Sequence, residues 1–203
     1  MNSRTKILEA VARHRPPPRP HPGLPSFPAP GDDLAARFRE AATGVNATCL
    51  TGSRDTLGDV VRARYPGARV IAALEPDLLP GTQVIDATTA PAELATIDLL
   101  VCRGTLGVAE SGAVWVRAAP AGHRAALFLA EHLLLLLPAD RLVWNLHQAY
   151  DCLDVAAEDF GVFVAGPSKT ADIAQALVIG AHGPRSVTVY LIEPGPPDAA
   201  TAR

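Results

Sequence analysis

The residues best suited to chemistry lie between Gly161 and Glu193. Gly166-Pro167-Ser168-Lys169-Thr170 sets a chain-breaking dipeptide, two hydroxyls and an ammonium group in succession. Before it, Gly161-Val162-Phe163-Val164-Ala165 is an apolar run of strand length. After it, Ala171, Ile173, Ala174, Ala176, Leu177 and Val178 carry a helical apolar pattern, with Ser168 or Thr170 as N-cap and Gly180 as stop. Ser186 to Ile192 alternates as a second strand. Strand, helix and strand in that order predict a right-handed parallel crossover. The amides of Ser168, Lys169 and Thr170 would then face outward at the positive end of the helix dipole, a cradle for a carboxylate or phosphate. It is not a Walker A loop, which needs Gly before the Lys where this chain has Ser168. Spacing alone favours the plainer reading, a well-capped helix with a solvated lysine.

Glu110 is the other residue of interest. It sits among small residues, beside Ser111 and Gly112, in a β-like stretch where a carboxylate needs a partner. It could orient a ligand, act as a base or act as a nucleophile. The competing reading is an edge-strand glutamate facing water, or one paired with Arg103 or Arg117. Asp172, in the first turn of the expected helix, is favoured there by the dipole with or without a catalytic role. His182 has a suitable pKa. A ten-residue helix spans about 15 Å, however, which would set His182 at the opposite end of the sheet from Lys169. The other histidines show no ligand spacing, and no metal site is expected.

Stepping outward, 203 residues suffice for one sizeable core. Hydrophobic residues make up 48% and charged ones 19%, as in globular chains, and the net charge of −3 gives no footprint for nucleic acid. Cys49, Cys102 and Cys152 are isolated and odd in number, without a C-x-x-C. They suit buried reduced thiols in a cytoplasmic protein, and neither a disulfide framework nor a cluster site. Neither a signal peptide nor a membrane-spanning run is legible.

Three units follow. Residues 1–31 are a weakly amphipathic helix (Ile7, Leu8, Val11) and a proline-rich arm from Pro16 to Pro30; residues 32–193 are an α/β domain; residues 194–203 are a flexible tail. Within the domain a helix starts at Asp32 or Asp33. Strands are expected at Ala47–Leu50, Arg69–Leu74, Thr82–Asp86 and Ile97–Cys102, and a helix from Ser53 to Tyr65. Thr105 to Arg117 reads as a hairpin about Ser111-Gly112. Ala125 to Leu136 fits one apolar helix, but a loop or short helix followed by a buried strand at His132–Leu137 is preferred; then comes a helix from Asp140 to Leu153 with Leu142, Val143, Leu146 and Tyr150 on one face. The fold class is α/β: a mostly parallel sheet flanked by helices, with an antiparallel hairpin.

Gly107-Val108-Ala109-Glu110-Ser111-Gly112, Gly166-Pro167-Ser168-Lys169-Thr170-Ala171-Asp172-Ile173 and Gly180-Ala181-His182-Gly183-Pro184 occur in that order. Together they resemble the LUD (lactate-utilisation) domain family in its short, LutC/YkgG-like form, over about Asp32 to Glu193. The resemblance implies a NagB/RpiA/CoA-transferase-like fold and a part in oxidising L-lactate to pyruvate. It implies iron–sulfur clusters on partner oxidoreductase subunits, with no cofactor on this chain itself. Glu110, Ser111, Ser168, Lys169 and Asp172 are expected to line one pocket at the carboxyl ends of the parallel strands, with Glu110 and Asp172 as catalytic candidates, Ser111, Gly112, Gly166, Pro167, Ser168, Lys169 and Thr170 binding an anionic small molecule, and His182 in a secondary place. A stand-alone CoA-transferase or phosphosugar enzyme, and a non-catalytic assembly or regulatory module, are the alternatives. Homo-oligomerisation is left open.

Overall fold

The computed structural model describes the chain except residues 1, 21, 24, 32, 118–122, 158–159, 174–175 and 194–203, and the side chains of residues 156, 171–173 and 176. The expected tail therefore lies outside the described residues. Helix α1 (Ser3–Arg13) is capped by Asn2 and buries none of its residues; Ile7, Leu8 and Val11 all face solvent. The described residues of the proline-rich stretch have no regular structure. It touches the body through Phe27, whose ring stacks on His147 and whose carbonyl accepts from Asn145 Nδ2.

Asp33 accepts from the Ala36 amide and so starts α2 (Leu34–Gly44), which buries Phe38 and Ala42. Strand β1 (Thr48–Gly52) leads through a short 3₁₀ turn into α3 (Leu57–Arg64), where Leu57 and Val61 are buried. Then come β2 (Ile71–Ala73), β3 (Gln83–Val84), α4 (Pro91–Leu94), the ten-residue β4 (Leu99–Val108) and β5 (Ala113–Arg117). After α5 (Ala126–Leu129) lie β6 (His132–Pro138), β7 (Leu142–Val143), α6 (Leu146–Cys152), β8 (Gly161–Val164), β9 (Lys169–Ile173), β10 (Ala176–Ile179) and β11 (Ser186–Ile192).

Six strands form a parallel sheet in the order β1-β11-β6-β4-β2-β3. The uninterrupted apolar run of β6 suits its central place, because a parallel strand is covered on both faces. Alternate residues serve the two faces. Leu133, Leu135 and Leu137 pack with Leu100, Cys102, Val187 and Val189 beneath Phe38 and Leu127. Leu134 and Leu136 pack with Leu99, Val101 and Tyr190 against Leu57, Val61 and Tyr65. The mostly parallel α/β sheet with an antiparallel hairpin is the architecture that the sequence implies.

Two expected helices give way to strands, one in its first half and one entirely, for one reason: a strand partner was available. Leu142 and Val143 pair with Gly107 and Val108, so the helix starts only at Leu146, capped by Asn145. Strands β9 (Lys169–Ile173) and β10 (Ala176–Ile179) pair antiparallel in place of a helix. Thr170, Val178 and Ile179 are β-branched, and their χ1 restriction favours the strand once pairing exists. The parallel crossover is likewise replaced: β8 runs antiparallel to β5, while β11 lies between β1 and β6.

Of the cysteines expected to be buried, Cys102 is, Cys49 is half-buried and Cys152 is exposed. Cys152 ends the last turn of the short α6, and its neighbour Leu153 packs inward. Burial raises the Cys49 thiol to about 11 and pushes the Cys102 thiol higher still. Among the described residues no helix is long and apolar enough to cross a membrane.

The start of β4 is tied to the approach to β2 by one carboxylate. Asp98 Oδ2 accepts from the amides of Arg69 (2.6 Å) and Val70 (2.8 Å). These hydrogen bonds, Val70's first, hold its carboxyl below the ordinary range, with the Arg69 charge adding to them. A lowered folded-state pKa stabilises above the unfolded value of about 3.9, and this is lost as pH falls through the folded value. Urea midpoints measured from neutral pH down to about 3 should therefore fall more steeply for the wild type than for Asp98→Asn, which starts lower. Parallel curves would contradict this role.

Candidate functional site

The first motif is the β4–β5 turn, and backbone bonds fix it. The amides of Ala109 and Glu110 donate to the carbonyls of Val143 and Trp144, and the Gly112 amide donates to Val108 O. Gly112 has φ +65°, and a Cβ there would lie 2.3 Å from the Ala42 amide nitrogen, so the turn rests directly on the α2 backbone. Glu110 is exposed, and its Oε1 accepts from the Leu146 amide at 2.8 Å, at the start of α6. A carboxylate is favoured at that helix end. The partner expected from Arg103 is not made: Arg103 pairs with Glu75 (2.6 Å) and Asp77 (2.8 Å). Ser111 Oγ is buried and finds no hydrogen-bond partner among the described residues.

The second motif also rests on α2. Gly166 has φ +73°, and a Cβ there would meet Val45 O at 2.1 Å. Val45 caps the C-terminus of α2, and the exposed Lys169 donates from Nζ to that same carbonyl at 2.5 Å. Lys169 was expected beside the positive end of a helix of its own; it instead sits at the negative end of another one, where a cation is favoured. The Ser168 amide is not outward-facing either. It donates to Pro184 O (3.0 Å), while Ser168 O accepts from the Gly180 amide (2.9 Å). Pro167 is buried and Thr170 lies half-buried in β9; Asp172 is in the same strand, and its side chain lies outside the described set.

The hairpin corrects the place of His182. Ile179 pairs with Lys169, and a Cβ on Gly183 would approach Ser168 Cβ to 3.0 Å, so the third motif folds back beside the second. Both border a cleft of about 240 Å³, walled mainly by apolar groups such as Leu133, Val164 and Phe128. The structure thus joins Gly166, Ser168 and His182, and seats Gly112 and Lys169 against successive turns of α2. Glu110 is committed to α6. Among the described residues no three His, Cys, Asp or Glu side chains are placed to hold a metal ion.

A cleft that motif spacing does not reveal lies where β4 leaves the parallel sheet. It measures about 380 Å³ and is bordered by Arg103, Arg117 and Arg141, with the exposed Cys152, Leu106 and Leu153. These residues come from β4, β5, the β6–β7 turn and α6, so only the folded chain assembles them.

The glycine contacts can be tested. Gly81 also has positive φ (+81°) but open space around its Cα, so Gly81→Ala carries the left-handed strain alone, about 1–2 kcal/mol. Gly166→Ala adds displacement of the α2 C-terminus and should cost clearly more in denaturant unfolding. Equal costs would show that the contact with Val45 is unimportant.

Comparison with known proteins is consistent with this architecture. The LUD domain model matches residues 68–192. "Lactate utilization protein C" of Exiguobacterium sp. is 27% identical over 180 residues, covering 79% of this chain and 78% of that protein. The protein of the same name from Geobacillus kaustophilus is 32% identical over 118 residues, covering 55% of this chain and 47% of that protein. A crystal structure of a DUF162 family protein from Deinococcus radiodurans superposes with TM-score 0.59 at 15% identity, over 79% of this chain and 96% of that one. With its parallel sheet, its β4–β5 hairpin and a family match over more than half its length, the chain belongs to the LUD domain family.

Proposed function

We propose that this chain is the LutC-type component of a lactate-utilisation system, acting with partner oxidoreductases in the oxidation of L-lactate to pyruvate. The observation that carries the reading is the Exiguobacterium relative, named for lactate utilisation and matched along 78% of its own length. The electron-carrying iron–sulfur clusters belong, on this reading, to the partners. The three cysteines of this chain include no C-x-x-C pair, the spacing usual for cluster ligation, which supports that division.

Anion binding at Ser168–Thr170 loses the helix terminus on which it was argued. Lys169 Nζ and the Ser168 amide both have protein partners instead. A stand-alone CoA-transferase would need the Glu110 carboxylate as nucleophile, and Glu110 Oε1 accepts a hydrogen bond from Leu146. The accessory reading is therefore the better supported.

In the native cell, deletion of this chain should abolish L-lactate-dependent pyruvate formation, and re-expression should restore it. Affinity capture of the tagged chain should bring down cluster-bearing oxidoreductases. Undiminished pyruvate formation in the deletion strain would overturn the proposal.

A further inference from the structure

Helix α1 is an element without a core of its own. Ile7, Leu8 and Val11 share one face and are 62%, 53% and 63% exposed, and no residue of the helix is buried. An isolated helix of eleven residues is marginal in water, so its stability calls for a surface to cover that stripe. The stripe is bounded by cations: Arg4 lies one turn before Ile7 and Leu8, and Arg15 follows the helix.

A surface of matching character lies on α6. Leu146 and the 54%-exposed Tyr150 stand one turn apart on its outer side, and Phe27 of the proline-rich arm lies beside them on His147. Carboxylates bound this apolar row at both ends. Glu110 accepts from the Leu146 amide at its start, and the exposed Asp151 and Asp154 stand at its finish. An apolar stripe with a cation at each end thus meets an apolar row with a carboxylate at each end. The match holds whichever way along α6 the incoming helix runs.

The arm decides which copy's α6 is reached. Phe27 is seated on the α6 of its own chain, and six of the thirteen residues from His14 to Ser26 are proline. Such a sequence is a semi-rigid, extended spacer, about 40 Å long at about 3.1 Å per residue. It carries α1 away from the helix on which Phe27 rests, and a return to that helix requires the spacer to double back. We infer that α1 of one molecule packs its Ile7, Leu8 and Val11 stripe on Leu146 and Tyr150 of a second copy, and that the exchange is reciprocal. Reciprocal exchange closes a two-fold dimer rather than an open chain.

Sedimentation of the full chain should show a dimer, weakened by added salt. Ile7→Glu with Val11→Glu should raise its dissociation constant by about a hundredfold or more, and Tyr150→Ser by about tenfold or more, as expected for losing buried apolar side chains. Leu177→Glu, at an exposed apolar position on β10, should leave it unchanged. All these side chains are exposed within one copy, so the fold of the single chain should survive, as circular dichroism can verify. Cross-linking gives a second readout. In a Cys152→Ser background, chain bearing Leu8→Cys mixed with chain bearing Asp151→Cys should form a disulfide-linked pair on oxidation.

A chain that stays monomeric at every concentration overturns the proposal, as does a dimer indifferent to the α1 substitutions. It is equally overturned if a chain bearing both new cysteines closes only on itself, which would seat α1 on its own α6. Leu8→Cys chains linking to one another in place of the mixed pair would show α1 pairing with α1, with the same consequence. So would α1-dependent capture of oxidoreductases by a chain that is monomeric alone. None of these measurements involves lactate, so this inference and the lactate-utilisation reading fail separately.

Discussion

The structure depends on β4 belonging to two sheets. As far as Arg103 it runs parallel between β6 and β2, and from Gly104 it runs antiparallel to β5. A side chain at Gly104 would meet Val114 Cγ1 at 2.4 Å, so the crossing is possible because the residue there has none. From this one passage follow the place of the hairpin turn, the seat of β7 beside Gly107, and the cleft at the seam.

Helix α2 is the second fixed element. Phe38 and Ala42 anchor it to the core, and the backbone at Ala42 and Val45 is approached closely by Gly112 and Gly166. The two motifs that look most chemical are thus also the two that dock on one helix. Their glycines, and the Lys169 bond to Val45, have structural reasons of their own. A motif can mark a fold junction as surely as a reacting group, because both forbid most side chains.

Charge is arranged with similar economy at the other end of the sheet. Arg103 ties Glu75 and Asp77 together, and Asp77 also meets Arg54. The Arg103 hydrogen bond keeps the Asp77 carboxyl below its usual range. This web joins the loop after β2 to the 3₁₀ turn after β1 and to β4.

Much of the scaffold was legible residue by residue. The leucine run of β6 favoured a buried strand over a helix, Asp32 or Asp33 marked the start of α2, and Ser111-Gly112 marked the hairpin. Each of these is decided locally, by hydrophobic pattern, capping or a left-handed turn. What the sequence could not decide was the choice between helix and strand where both patterns fit. Leu142–Val143 became a strand because Gly107–Val108 offered backbone partners, and Lys169–Ile173 and Ala176–Ile179 became strands by pairing with each other. That choice moved His182 next to Ser168 and sent Lys169 to the far end of another helix. The convergence of Arg103, Arg117 and Arg141 was likewise invisible, since they lie on separate elements and no periodicity links them. Local preference determines which faces are apolar and where the chain turns; long-range pairing alone determines which of those segments meet.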